Sequence, residues 1–119
     1  VLEAGFTSCV DLGASAYPWL PVRLGMLDRF ESADRARRMQ ERHGEGAAVP
    51  TLSIHGTLDD IAPLHLGKML FAAMPGAPNR QKRMVVLEGT GHNDVPYVDS
   101  ARYLTEIASF LSSQAAGAQ

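Results

Sequence analysis

A chain of 119 residues has room for one domain at most. Apolar residues make up 45% and charged residues 20%, with a formal net charge of -2 and one cysteine, Cys9. These values fit an ordinary folded protein. They exclude a broad basic field for nucleic acid or anionic lipid, an internal disulfide and a multi-cysteine zinc site, and no apolar run reaches the roughly 18 residues of a membrane span.

The chain opens at Val1 on a short apolar stretch, Val1-Leu2-Glu3-Ala4. It reads as the end of a buried strand whose beginning lies upstream. With Glu3 inside it and no basic residues before it, the stretch does not read as a signal peptide, and a single cysteine suits a reducing, cytoplasmic setting. Cys9 to Ala16 can form one short helix, after which Pro18 and Pro21 break the chain around Trp19. Val22 to Phe30 is mixed and apolar. Together with Tyr17, Trp19 and Leu20 it either covers a pocket or simply packs on a sheet. Ser32 is placed to cap a polar helix over residues 33–42, with Asp34 near its start, Arg37, Arg38 and Arg42 near its end, and Gly44 and Gly46 as its stop.

The second half is more regular. Residues 49–54 read as a strand, with Pro50 at its start. The loop His55-Gly56-Thr57-Leu58-Asp59-Asp60 follows, and Pro63 opens a helix whose apolar face is Leu66, Met69, Leu70 and Ala73. Pro75-Gly76 stops that helix. Residues 84–87 form a second apolar strand, followed by the loop Gly89-Thr90-Gly91-His92-Asn93-Asp94. A last helix is expected over residues 100–111, with Leu104, Ile107, Ala108 and Leu111 on one face, and then a small, polar, flexible tail over residues 113–119. Near-continuous apolar strands alternating with amphipathic helices define an α/β chain, with about three parallel strands flanked by helices. In such sheets reactive groups gather on the loops at the carboxyl ends of the strands, where both polar loops fall.

Asp59 is the candidate acid, on a loop tightened by Gly56, and His92 is the candidate base, between small residues that permit close backbone approach. A carboxylate on one imidazole nitrogen fixes the tautomer and leaves the other nitrogen free to accept a proton from a nucleophile. That is two members of a Ser-His-Asp triad, in the acid-then-histidine order. Other roles compete. Asp59 can be a helix-entry cap, and Asp60 lies one residue away. His55 at the strand end suits a structural hydrogen bond, while His43 and His65 suit solvent. Asn93 and Asp94 are placed to brace the histidine loop through backbone N–H groups. A metal site from His55, Asp59, Asp60, His92 and Asp94 lacks ligand spacing. Ser8 and Cys9 are nucleophile types without a glycine-flanked elbow.

Residues 49–63, from Val49-Pro50-Thr51 to Ile61-Ala62-Pro63, resemble the strand and loop that deliver the triad acid in α/β-hydrolases. Residues 89–94 resemble the loop that delivers the triad histidine, and residues 2–8 are similar to the strand after the nucleophile helix. The likeness is to the serine-aminopeptidase-like branch, with its esterases and acyl-protein thioesterases, and it spans residues 1–112. It favours Asp59 over Asp60 as the acid, with Asp60 capping the helix that follows, and implies a partial α/β-hydrolase fold with no cofactor and no metal. The substrate it implies is a small acyl, ester or peptide compound. No Gly-x-Ser-x-Gly occurs in these residues. The expectation is therefore the C-terminal part of a serine hydrolase, with acid and base but no nucleophile, inactive alone and completed by an N-terminal half. The alternative is a non-catalytic remnant that binds or self-associates through an exposed apolar strand edge.

Overall fold

A computed structural model describes residues 1–27, 29–43 and 49–117. Its elements, in order, are β1 (Leu2–Glu3), α1 (Cys9–Ala16), α2 (Val22–Gly25), α3 (Ser32–His43), β2 (Thr51–Gly56), α4 (Leu64–Ala73), β3 (Lys82–Leu87) and α5 (Ser100–Gly117). The three strands form one parallel sheet in the order β1-β2-β3. The expected α/β class, three parallel strands flanked by helices, is what the chain adopts. The glycine stop at Gly44 and Gly46 and the setting of the His43 side chain lie outside the described residues.

β2 is the central strand and is covered on both faces, so Leu52, Ser53, Ile54 and His55 are all buried. This is the physical reason for its unbroken apolar pattern. On one face Leu52, Ile54, Val85 and Leu87 pack with Val95 and Phe110, and with Tyr103 and Ile107 of α5. On the other, Ala33 and Ala36 of α3 meet Leu70 and Ala73 of α4, with Leu2 and Met74 beside them. α1 is held at its start by Ser8, whose Oγ accepts from the Asp11 N–H at 3.0 Å, and by the Thr7 hydroxyl, which donates to Asp11 at 2.7 Å. Tyr103 ties α5 to β1 by donating its hydroxyl to Glu3. No helix among the described residues is long and apolar enough to cross a membrane.

Several expectations are corrected by packing. The buried stripe of α4 is Leu66, Gly67, Leu70 and Ala73, with the ring of His55 against Gly67, while Met69 is exposed. Pro63 precedes α4 rather than occupying its first turn. On α5 the inward face is Tyr103, Ile107 and Phe110, while Leu104 and Leu111 are exposed, and the helix continues through the expected tail as far as Gly117. β3 starts two residues before its apolar run. Lys82 joins it by burying its stem and donating from Nζ to the carbonyl oxygens of Phe71, Ala72 and Met74, at 3.1, 3.3 and 2.7 Å. This caps the last turn of α4, and burial lowers the pKa of the Lys82 ammonium. Trp19, Leu24 and Leu27 do not pack on the sheet: they are 77%, 89% and 94% exposed. The short α2, with Pro21 as its N-cap, rests on α1, with Val22 and Met26 against Gly13.

Candidate active site

β2 and β3 run in register as far as Gly56 and Leu87, so the loops that follow them leave the same edge of the sheet. Three bonds join those loops. Thr57 N–H donates to the Leu87 carbonyl at 3.0 Å, Leu58 N–H to the Thr90 carbonyl at 3.0 Å, and Gly89 N–H to Thr57 Oγ1 at 2.9 Å. Two glycines make the approach possible. A Cβ on Gly56 would stand 2.0 Å from the Thr90 carbonyl oxygen, and Gly89 has φ of +69°.

Asp59 and His92, the candidate acid and base, meet across this seam. Nδ1 of His92 lies 3.0 Å from Oδ1 and 2.9 Å from Oδ2 of Asp59. A carboxylate only accepts, so the proton of that bond sits on Nδ1, and Nε2 carries the free lone pair. The Asp59 side chain is fully buried and that of His92 is 28% exposed. Asp59 stays put because its Oδ1 also accepts the N–H groups of Ile61 and Ala62, at 3.1 and 2.6 Å. A buried carboxylate needs such partners. The expected helix-cap role of Asp60 is not seen: Asp60 is exposed, and it is Asp59 that binds the backbone N–H groups ahead of α4.

The other singled-out residues lie apart from this pair or play different parts. His55 belongs to β2 itself rather than to the loop, fully buried, with Nε2 bonded to the Ala62 carbonyl at 2.7 Å. His65 is exposed. Ser8 is occupied as the cap of α1, and Cys9 is a partly buried free thiol on that helix. The Asn93 and Asp94 side chains make no hydrogen bond among the described residues; the loop is braced instead by backbone bonds, from Asp94 N–H to Gly91 and from Tyr97 and Val98 N–H to Asp94. Among the described residues no group of three or more His, Cys, Asp or Glu is placed to hold a metal ion. A groove of about 530 Å³ opens between Leu20, Pro21, Val22, Leu24, Gly25 and Met26.

Sequence reasoning missed three supports of the pair. Ala62 supplies the shortest bond to Asp59, Thr90 supplies the carbonyl that Leu58 binds, and Gly67 makes room for His55. Only Gly67 left a signal, as a glycine inside an amphipathic helix.

No family model matches the chain. An uncharacterized protein of Mycobacterium tuberculosis, found in two strains, is 38% identical over 115 residues, which cover 97% of this chain and 37% of that protein. The chain thus spans well under half the length of the curated relatives it matches. Among solved structures, it is similar to a monoacylglycerol lipase of Paleococcus ferrophilus, with a TM-score of 0.47, 19% identity, and coverage of 94% of this chain and 44% of the lipase.

Proposed function

We propose that this chain supplies the acid and the base of a serine hydrolase acting on ester, thioester or amide bonds. The observation that carries the reading is the buried Asp59 carboxylate at 2.9 Å from Nδ1 of His92, on two loops at one edge of a parallel sheet. In this reading the fold is part of an α/β-hydrolase, as the motifs at residues 49–63 and 89–94 imply. His92 Nε2 takes the proton of a serine hydroxyl as the serine oxygen bonds to the substrate carbonyl carbon. It then returns the proton to the leaving alcohol, thiol or amine as the acyl bond breaks. Water, deprotonated by the same nitrogen, releases the acid and frees the serine. Asp59 holds the imidazole in the required tautomer and stabilises the imidazolium between the two transfers. The serine comes from a segment outside these 119 residues, which contain no Gly-x-Ser-x-Gly.

Labelling with a fluorophosphonate, which captures an activated serine, tests this on the full-length protein. Labelling that slows sharply on His92→Ala is expected. A labelled serine whose rate is indifferent to His92 would remove the base assignment.

A second reading is a binding or self-associating domain. It draws on the exposed apolar segment around Trp19, Leu24 and Leu27, and on β1, which pairs only with β2 among the described residues. A monodisperse monomer by light scattering at high concentration counts against self-association.

A further inference from the structure

His55 is the buried titratable group that the acid–base pair leaves unused. Its ring is 0% exposed, and its Nε2 lies 2.7 Å from the Ala62 carbonyl oxygen and 3.4 Å from Oδ2 of Asp59. Both neighbours only accept, so Nε2 carries the proton. Nδ1 has no hydrogen-bond partner and faces Gly67, where a Cβ would stand 2.3 Å away. The ring therefore has one orientation and one tautomer that satisfy its surroundings. Ala62 is held from both sides: its carbonyl accepts from His55, and its N–H donates to Asp59 Oδ1 at 2.6 Å. A residue serving only to fill this space would not need a nitrogen, since an unpartnered buried Nδ1 is a cost that Phe or Leu avoids.

We infer that His55 is a positioning residue for the Asp59–His92 pair: its Nε2–H fixes the Ala62 backbone, whose N–H in turn aims the Asp59 carboxylate at His92. The catalytic meaning of this relay rests on the hydrolase reading above, but the relay itself is a property of the chain.

The test is NMR of the full 119-residue chain with 15N-labelled histidine, following exchange of the His92 Nδ1 proton with water. The result expected for the wild type is slow exchange of that proton. In His55→Phe, which keeps the ring but not the donor, exchange becomes at least about tenfold faster, and the Ala62 amide loses protection, while the methyl signals of Leu52 and Val85 stay in place. His55→Gln, which restores an N–H at the end of the side chain, recovers slow exchange. A folded His55→Phe chain with wild-type exchange at His92 overturns the proposal. If the Phe variant does not fold, the wild-type ring decides: a slowly exchanging proton on His55 Nε2 supports the relay, and a proton on Nδ1 overturns it. Failure of the hydrolase reading looks different, namely a His55-dependent pair in a full-length protein that cleaves no acyl substrate.

Discussion

The backbone of Gly56 meets the backbone of Thr90 so closely that a Cβ at position 56 would lie 2.0 Å from the Thr90 carbonyl oxygen. The contact is between two main chains, so no side-chain rotation relieves it. Gly56→Ala must therefore push apart the ends of β2 and β3, from which the loops of Asp59 and His92 depart. The expected cost is about 3 kcal/mol, at the upper end of overpacking penalties, read from urea denaturation. The same substitution should speed exchange of the His92 Nδ1 proton, because the loops separate.

Lys82 caps the last turn of α4 from inside the sheet. Lys82→Met keeps the stem and removes the three bonds to Phe71, Ala72 and Met74, of which the Phe71 carbonyl keeps the Met74 N–H as a donor. A loss of about 1–3 kcal/mol is expected. Hydrogen exchange should place the loss at the C-terminal end of α4 rather than across the whole sheet.

These two positions also mark what the sequence discloses and what it hides. Asp59 and His92 were legible because each follows an apolar strand, on a loop with the glycines that a tight turn or close approach requires. The three strands were legible from runs of apolar residues, whereas the capping role of Ser8 at α1 was not read from the sequence. Lys82 was not, since a buried amine on helix carbonyls breaks the apolar pattern that marks a strand. The inward face of α5 was missed because Leu104 and Leu111 carry helical spacing yet face solvent, while Tyr103 and Phe110 reach the core. The bond from His55 to Ala62 has no periodicity at all: a ring nitrogen and a backbone carbonyl seven residues apart leave no trace in residue type.

Asp11 gives the start of α1 a dependence on pH. The Thr7 hydroxyl above all, helped by the Ser8 bond and the Arg23 guanidinium, holds its carboxyl below the ordinary value of 3.8, against burial, which pushes it up. A folded carboxyl with a lowered pKa adds stability above the unfolded value, and that stability is lost as pH falls through the folded value. Asp11→Asn should thus cost up to about 1 kcal/mol near neutrality, modest because Arg23 is largely exposed. The gap from wild type should close below pH 3.8, as followed by denaturation at a series of pH values.

The apolar segment ahead of α3 contributes little to the stability of the monomer. Trp19→Ser or Leu27→Ser should change it by no more than about 0.5 kcal/mol, since both side chains stand in solvent. If the second reading holds, the same changes reduce association measured by light scattering.

The account stands most directly on the role of His92. The decisive measurement is steady-state hydrolysis of a p-nitrophenyl ester by this chain joined to an upstream segment that supplies a serine nucleophile, comparing wild type with His92→Ala and Asp59→Asn. A fall in kcat of about 10³-fold or more for both, with folding intact, is the result expected of a base oriented by a carboxylate. Hydrolysis within about tenfold of wild type in His92→Ala would contradict it.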